Sequence, residues 1–182
     1  LRAFHQHNEH KVTDSLVEQI SAGTSMALIT DAGTPGISDP GYLLVRACIE
    51  SNVVVECLPG ATAIIPAIVG SGLPSEKYVY LGFPPQKKGR QTFWQELAEE
   101  SRTMVMYESP HRILKALKEA IEVFGPDRKA VVVRELTKIH ETFHRETLAN
   151  LQVIGQEKAF KGEIVLVIEG LAHFDKRNKE SV

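Results

Sequence analysis

The loop formed by residues 31–41 is the first segment whose residue types and spacing could bind a ligand. Its sequence, DAGTPGISDPG, has three glycines and two prolines, which is too many for a regular helix or strand. It follows a short apolar run, residues 26–29, and precedes a predicted helix. In open α/β sheets ligands bind at such loops, because the carboxyl ends of strands and the amino ends of helices face one crevice. A stiff connection fixed by the two prolines is the alternative.

A second loop of the same kind, residues 58–63 with the sequence LPGATA, follows the next predicted strand. Glycines in both loops let a ligand approach the backbone, whose amides and carbonyls can then bind it. Neither loop has the GxGxxG pattern or a Walker lysine, which argues against a nucleotide-phosphate site. Two such loops after neighbouring strands would line one pocket, although Pro-Gly-Ala by itself is also typical of a plain turn.

A basic segment lies at residues 81–90, LGFPPQKKGR, where Lys87, Lys88 and Arg90 follow two prolines. Arg112 ends a later segment, MVMYESPHR. Basic side chains in such loops can bind RNA phosphates, and nearby aromatic rings could stack on bases: Phe83, Phe93 and Trp94. The alternatives are a solvated surface loop and aromatic side chains that belong to the core. Because the net charge of the chain is −2, any affinity for nucleic acid has to come from such a local patch.

The histidines do not form a recognisable metal site. His5, His7 and His10 have a spacing that fits no common site, and no cysteine joins them, so we predict no metal. A lone histidine is usually an ordinary hydrogen-bonding residue, although three later ones could each act as a general base: His111, His140 and His144.

The composition is that of an ordinary soluble globular protein. With 182 residues, of which 43% are hydrophobic and 24% charged, the chain can bury a substantial core in one large or two small domains. Cys48 and Cys57 lack partners at zinc-site spacing, so both are predicted to be buried thiols in a reducing compartment. No run of about 18 apolar residues and no signal-peptide pattern occurs, which predicts a cytoplasmic protein. The chain begins at Leu1 in a polar stretch, so we expect a further N-terminal segment.

The first half of the chain has the pattern of an α/β domain. The predicted elements are, in order, a helix at 12–22 with Thr13 or Asp14 as N-cap, a strand at 26–29, a helix starting at Asp39-Pro40, a strand at 53–57 and a helix at 61–69. Continuous apolar strands that alternate with helices predict a parallel sheet covered on both faces.

The second half is predicted to be a mixed α/β domain. A shift in composition near residues 74–78 places a boundary that gives domains at 1–75 and 76–171, followed by a charged tail at 172–182. Residues 176–182 of this tail are predicted to be disordered. The predicted elements of the second domain are strands at 78–80, 103–107, 130–133, 141–145 and 163–168, and helices at 93–100, 113–124 and 147–154.

Taken together, these segments resemble a known family. DAGTPGISDPG, LPGATA, SGLPSEKYVYLGFPPQKKGR and MVMYESPHR are similar in order and spacing to the ribosomal RNA small-subunit methyltransferase I family of the tetrapyrrole methylase superfamily, over residues 7–170. The resemblance implies a homodimer of two α/β domains that binds S-adenosylmethionine in the cleft between them. It also implies 2′-O-methylation of a decoding-centre cytidine in 16S small-subunit ribosomal RNA. The family's N-terminal Gly/Pro segment has no counterpart here, so the N-terminal domain is expected to be truncated.

The resemblance also assigns site residues. Gly33-Thr34-Pro35 is similar by position to the Gly-Asp-Pro motif of tetrapyrrole methylases, with threonine where many relatives have aspartate, so cofactor contacts through the backbone are expected. The expected cofactor-binding residues are Asp31, Gly33, Thr34, Pro35, Gly36, Ile37, Pro59, Gly60, Ala61, Thr62, Met106, Tyr107, Glu135 and Leu136. The expected RNA-binding residues are Lys87, Lys88, Arg90 and Arg112.

Methyl transfer from a sulfonium to a ribose 2′-hydroxyl is an in-line displacement that positioning can accelerate strongly. A group near the acceptor has to take the hydroxyl proton, and Glu108 and His111 are candidates because they follow a predicted strand at the expected cleft. Two alternatives stay open. One is a sister methyltransferase acting on a tetrapyrrole or corrinoid precursor, and the other is a non-catalytic RNA- or ribosome-binding module.

Overall fold

The computed structural model describes residues 1–180, which contain seven helices and five strands. The helices are α1 (Glu9–Ser21), α2 (Tyr42–Glu50), α3 (Ile64–Ser71), α4 (Arg90–Glu96), α5 (Ile113–Phe124), α6 (Leu148–Glu157) and α7 (Leu171–Glu180). The strands are β1 (Tyr78–Tyr80), β2 (Thr103–Glu108), β3 (Lys129–Arg134), β4 (Thr142–Thr147) and β5 (Ile164–Ile168). The mixture of helix and strand agrees with the predicted class. No described helix has the length and apolar character that a membrane crossing requires.

The contacts divide the chain into two compact units, Leu1–Thr62 and Ala63–Val182. In the first unit, α1 packs against α2, and Leu16, Val17 and Cys48 are buried. Both helices differ from their predicted starts. α1 begins at Glu9 and not near Thr13, whose hydroxyl lies inside the helix and donates to the carbonyl oxygen of Glu9 at 2.7 Å.

Helix α2 begins at Tyr42, after Gly41, and not at Asp39-Pro40. The Asp39 carboxylate is not used as an N-cap, because it accepts a hydrogen bond from Thr30 Oγ1 at 3.1 Å instead. The side chain that the sequence offered as a helix cap therefore closes the loop that precedes the helix.

Residues 26–29 and 53–57 form no strand in the structure, so the prediction of a parallel sheet in the first unit is wrong for the described residues. A strand exists only where a neighbour completes its ladder of hydrogen bonds, and no described ladder includes either segment. Their apolar side chains are largely exposed, with Ile29 at 72% and Val54 at 83%. Cys57, predicted to be buried, is exposed for the same reason, whereas Cys48 is buried as expected.

The second unit contains one five-stranded sheet in the order β1-β2-β5-β3-β4. β1 and β2 are parallel, with Tyr78 opposite Thr103 and Tyr80 opposite Val105. The other three pairs are antiparallel, which confirms the predicted mixed character of this half. Because β1 and β2 run in the same direction, the loops that follow them leave the sheet at the same edge.

Both faces of the sheet are covered, as the continuous apolar runs of β2 and β5 require. Side chains alternate between the faces, so Met104 and Met106 join one core cluster while Val105 joins the other. Helices α4, α5 and α6 contribute to the first cluster and α3 to the second. Since α3 packs on the sheet, the contacts place it in the second unit, although the domain boundary predicted near residue 75 would assign it to the first. That division into domains stays a prediction.

Helix α7 includes residues that the sequence predicted to be disordered, and that prediction is wrong for residues 176–180. The buried carboxylate of Glu169 accepts a hydrogen bond from Arg177 Nη2 at 3.0 Å and lies 2.5 Å from His173 Nδ1. The ring of Phe174 lies 4.3 Å from the guanidinium carbon of Arg128. These partners outside the segment stabilise a helix that composition alone disfavours. Residues 181 and 182 lie outside the described residues.

Candidate functional site

The two glycine-containing loops of the first unit are in direct contact. Thr34 Oγ1 donates a hydrogen bond to the carbonyl oxygen of Ala61 at 2.9 Å, which joins loop 31–41 to loop 58–63. The sequence predicted that these loops would be neighbours, and the hydrogen bond confirms it. The expectation that they bind a cofactor is not tested by this contact and stays a prediction.

The shape of loop 31–41 depends on glycine. Gly33 has φ +75° and Gly36 has φ +81°, left-handed conformations that residues with a Cβ rarely adopt. A Cβ at Gly41 would lie 3.1 Å from the amide nitrogen of Gly36, so the loop also folds closely on itself there. The local sequence therefore explains a rigid loop with a defined backbone shape.

The backbone of both loops is open to solvent. Gly33, Gly36, Pro59 and Gly60 are exposed, and so is Asp31. A Cβ added at Gly36 would meet no atom within 4 Å, and one added at Gly60 would lie 3.9 Å from its nearest neighbour, the carbonyl oxygen of Leu58. The space beside these glycines is thus available to a ligand that contacts the main chain.

In the second unit, the segments that follow β1 and β2 are brought together as the parallel pairing requires. The amide of Tyr107 donates to the carbonyl oxygen of Gly82 at 2.9 Å, and the rings of Phe83 and Tyr107 lie 5.4 Å apart. Tyr107 also makes an edge contact with Tyr80 at 5.6 Å. Its predicted neighbour Met106 is fully buried in the core, so the Met106 side chain is not presented to a ligand.

Glu108, a candidate for the general base, lies in the interior. It is 2% exposed, and its Oε1 accepts hydrogen bonds from the amide of Ser109 at 2.7 Å and from Arg112 Nε at 3.0 Å. This burial and pairing do not support proton transfer from a substrate hydroxyl. His111, the other candidate, is exposed on the turn after β2, and its amide donates to Ser109 Oγ at 3.3 Å.

The predicted RNA-binding residues fall into two groups. Lys87 and Lys88 are exposed, and Arg112 is partly so, with 28% of its side chain accessible. Arg90 is only 4% exposed and pairs with Glu119 and Glu108, so it is not available to a phosphate. Its basic charge alone could not reveal this, because burial depends on partners far away in the sequence.

The three aromatic residues near the basic segment also differ. Trp94 is 2% exposed and belongs to the core, and Phe93 is partly buried against the same cluster. Phe83 is 50% exposed. Phe83 is therefore the one of the three with substantial exposure for stacking, and the alternative interpretation as core side chains is confirmed for Trp94.

Glu135 and Leu136 lie just after β3, where the backbone is strained. Glu135 has φ +50° and Thr137 has φ +64°, and strain of this kind is often found at functional sites. Glu135 Oε1 accepts a hydrogen bond from the amide of Glu163 at 2.8 Å, and this bond is the main reason that the pKa of Glu135 is lowered. Leu136 is partly buried against the second core cluster. The Glu135 side chain thus stabilises a turn.

A contact that the sequence did not reveal holds the C-terminal end of α3. Arg145 on β4 donates two hydrogen bonds to the carbonyl oxygen of Gly70, from Nε at 3.0 Å and from Nη2 at 2.6 Å. The ring of Phe143 lies so close to Gly70 that a Cβ there would be 2.6 Å from it. Because α3 directly follows loop 58–63, this clamp fixes the element into which that loop leads. Gly70 and Arg145 are 75 positions apart in the sequence, which explains why no local pattern pointed to this contact.

Among the histidines, His144 on β4 is partly buried. Burial, followed by the charges of Arg134 and Lys158, lowers the pKa of His144. Within residues 1–180, no group of three or more His, Cys, Asp or Glu side chains is arranged to hold a metal ion.

A family sequence profile and individual relatives both match most of the chain. Residues 2–152 match the sequence profile described as Tetrapyrrole (Corrin/Porphyrin) Methylases. A protein of Synechocystis sp. named Ribosomal RNA small subunit methyltransferase I is 46% identical over 175 residues, which covers 96% of this chain and 63% of that relative. A protein of the same name from Haemophilus influenzae is 43% identical over 182 residues, covering 98% of this chain and 64% of the relative. The chain therefore spans less than two thirds of the length of these relatives.

A solved structure shares the fold. Uroporphyrin-III C-methyltransferase from Thermus thermophilus, complexed with S-adenyl homocysteine, superposes with a TM-score of 0.58 at 16% sequence identity. The match covers 91% of this chain and 74% of that chain. Identity at this level establishes the fold alone, and it confirms the predicted fold class.

Proposed function

The chain belongs to the tetrapyrrole (corrin/porphyrin) methylase family, and from this premise we propose that it methylates small-subunit ribosomal RNA with S-adenosylmethionine. The finer proposal is transfer to the ribose 2′-hydroxyl of a cytidine in the decoding centre of 16S RNA. The names of the two relatives at 46% and 43% identity support the RNA substrate. The hydrogen bond from Thr34 to Ala61 carries the structural part of the proposal, because it joins the two exposed glycine loops into one surface.

The residues present fit an S-adenosylmethionine site. Open space lies beside Gly36 and Gly60, where a side chain would occupy the room that a ligand needs. Gly33 to Ile37 and Pro59 to Thr62 would hold the cofactor mainly through the main chain, and the Thr34 hydroxyl is engaged with Ala61. When bound, S-adenosylmethionine supplies an electrophilic methyl group on a positively charged sulfur. The structure of the Thermus relative, described with S-adenyl homocysteine, supports the choice of cofactor.

The chain's own residues would contribute positioning and a proton acceptor. Rigid loops accelerate an in-line displacement because they hold the reacting groups in the productive geometry. We propose that His111, which is exposed after β2, accepts the proton of the 2′-hydroxyl. The buried and paired Glu108 is not assigned as the base. An imidazole nitrogen can accept such a proton, so a histidine suits this role.

The RNA would be bound by the basic segment after β1. Lys87 and Lys88 are exposed and suited to phosphate contacts, and Phe83 offers a half-exposed ring to a base. Arg112 lies on the same turn as His111 and would contact RNA with the accessible part of its side chain. Assembly as a homodimer and a cytoplasmic location are further parts of the proposal, and they rest on the family resemblance.

A second candidate function is methylation of a tetrapyrrole or corrinoid precursor, which the substrate in the name of the Thermus enzyme supports. The exposed lysines after β1 favour RNA, because they would bind a chain of phosphates. A binding module without catalysis is the third candidate.

Labelled methyl transfer distinguishes these candidates. The complete chain would be incubated with S-adenosylmethionine carrying a labelled methyl group and with either small ribosomal subunits or a corrinoid precursor. We expect label in the RNA. Label only in the corrinoid would support the second candidate, and a calorimetric titration without binding of S-adenosylmethionine would contradict both enzymatic functions.

A further inference from the structure

A cluster of buried and partly buried charged side chains lies where the segments after β1 and β2 meet. Its members, here called the Glu108 cluster, are Arg90, Glu108, Arg112 and Glu119. Arg90 Nε donates to Glu119 Oε2 at 2.7 Å, and Arg112 Nε donates to Glu108 Oε1 at 3.0 Å. Trp94 Nε1 also donates to Glu119 Oε2, at 2.9 Å. The two arginines and two glutamates balance in charge, and Lys115 Nζ lies 3.8 Å from Glu119 Oε1 at the exposed side of the cluster.

The cluster has one contact that is electrostatic without being a hydrogen bond. Arg90 Nη2 and Glu108 Oε2 lie 3.6 Å apart, and neither atom has a hydrogen-bond partner among the described residues. The side chains of Arg90 and Glu108 are 4% and 0% exposed. Charges at such depth are stable only as a pair, since removing one partner leaves the other uncompensated in a medium of low polarity. Arg90 therefore depends on its two carboxylate partners, Glu119 and Glu108.

Arg90 also determines the path of the basic segment. Its Nη1 donates to the carbonyl oxygen of Pro85 at 3.0 Å, which closes the chain between Pro85 and Arg90 into a loop. Lys87 and Lys88 lie on this loop and are exposed. Gly89, with φ +81°, lets the chain turn from the loop into α4. The guanidinium group thus contacts the base of the loop, while the two lysines extend from it.

The same glutamate fixes the turn after β2. Glu108 Oε1 accepts hydrogen bonds from the Ser109 amide at 2.7 Å and from Arg112 at 3.0 Å, so both ends of the Ser109-Pro110-His111-Arg112 turn are attached to one carboxylate oxygen. Its other oxygen faces Arg90. One buried carboxylate consequently connects the turn that carries His111 with the loop that carries Lys87 and Lys88.

We infer that Glu108 is a positioning residue that acts through Arg90 and Arg112 to hold the loop of residues 85–90 and the turn of residues 109–112 in a fixed relative arrangement, as a preformed surface for RNA phosphates. The RNA part of this inference rests on the proposed function. Ordering the loop before binding lowers the entropic cost of the complex. Lys87 and Lys88 would then bind phosphates, while Arg90 has a structural role.

Limited trypsin digestion tests the loop without reference to activity, because Lys87 and Lys88 are cleavage sites within it. We expect E108Q and E119Q to be cleaved there about ten times faster than the unmodified chain, since local opening governs proteolysis of a folded protein. E119Q removes the other partner of Arg90 and is the milder change, because 21% of the Glu119 side chain is accessible. E122Q, an exposed glutamate on the same helix, is the matched control and should be cleaved at the original rate.

The sites of cleavage separate loosening from unfolding. Mass spectrometry should show faster cleavage at Lys87 and Lys88 and unchanged cleavage at Lys118, which is exposed on α5. If E108Q unfolds, cleavage accelerates at all lysines and E119Q decides the question. Unchanged cleavage at Lys87 and Lys88 in folded E119Q would overturn the inference.

Binding of small-subunit ribosomal RNA tests the second part. In the same variants we expect the Kd for this RNA to rise about five-fold, while the Kd for S-adenosylmethionine stays unchanged. Increased cleavage with unchanged RNA affinity would overturn the role of Glu108 in RNA binding. It would still support the role of Glu108 in positioning the loop. If the unmodified chain neither binds nor methylates the RNA, the proposed function fails, and the cleavage rates still decide whether Glu108 positions the loop.

Discussion

The hydroxyl of Thr34 lies 2.9 Å from the carbonyl oxygen of Ala61 and donates a hydrogen bond to it across 27 residues of sequence. This bond joins the two loops in which we place the cofactor. The Thr34 side chain is thus engaged in a contact between the loops themselves. The contact therefore explains how a cofactor site that depends on backbone atoms could keep its shape.

Replacing Thr34 with valine should weaken cofactor binding. Valine keeps the shape of the side chain and removes the donor, and a hydrogen bond of this kind contributes about 0.5–1.5 kcal/mol. We expect the Kd for S-adenosylmethionine to rise about five-fold, as measured by calorimetry on the complete chain. T34S, which retains the hydroxyl, is the control and should bind nearly as the unmodified chain does. Equal affinity of T34V and T34S would show that the bond does not shape the site.

The G70A substitution should destabilise the protein. The new Cβ would lie 2.6 Å from the ring of Phe143, and overpacking of this kind costs about 1–3 kcal/mol. Chemical denaturation measures the loss as a lower midpoint with an unchanged slope. G60A is a suitable control, because its Cβ would meet its nearest atom only at 3.9 Å. A G70A protein as stable as G60A would mean that the clamp on α3 has room to adjust.

Acid should release helix α7 through Glu169. Burial alone would raise the pKa of this carboxyl, but the hydrogen bonds from Arg177, His173 and the Lys129 amide outweigh it and lower the pKa. A depressed carboxyl pKa stabilises the fold above the unfolded value of about 4.3, and this contribution is lost as the pH falls through the folded value. E169Q should therefore be much less stable than the unmodified chain at pH 7, and the difference should shrink below about pH 4.

Thermal unfolding at several pH values measures this difference in Tm. E157Q, at an exposed position on α6, serves as the control and should show little difference at any pH. A gap between E169Q and the unmodified chain that stays constant from pH 7 to about pH 3 would contradict the role of the ionised carboxylate.

His144 should make the stability sensitive to mild acid. Burial first, and then the charges of Arg134 and Lys158, lower its pKa below the ordinary value of 6.5, so the folded protein favours the neutral ring. The unfolded chain then binds more protons below about pH 6.5, and stability decreases as the pH falls from there through the folded pKa. Between pH 7.5 and pH 5.5 the Tm of H144Q should decrease less than the Tm of the unmodified chain. The difference between the two decreases should be about a degree or more. The exposed His140 offers the control variant H140Q, whose pH profile should match that of the unmodified chain.

The elements that could be predicted from sequence are those whose local pattern is complete in itself. Helix α5 was predicted at its observed bounds, because its apolar residues form one face that the sheet buries. Strands β2 and β5 were predicted within one residue, since both of their faces are apolar. Residues 26–29 have a similar apolar composition and form no strand, because a strand also requires a neighbour that no local pattern specifies.

The candidate site divides in the same way. The contact between the two loops was predicted, since glycine-rich loops after successive elements were expected to be neighbours. The interior position of Arg90 and Glu108 was not, because the charge of these residues suggested exposure and catalysis. The burial of Arg90 depends on Glu119, which lies 29 positions away on α5. A charged residue reveals its structural role only through such distant partners.

Methylation of small-subunit ribosomal RNA is tested by mapping ribose methylation in that RNA by mass spectrometry, in cells with and without this protein. We predict that one cytidine of the decoding centre lacks its 2′-O-methyl group in cells without the protein, and carries it again when the complete gene is restored. A methylation pattern that is identical in both cells would contradict the claim.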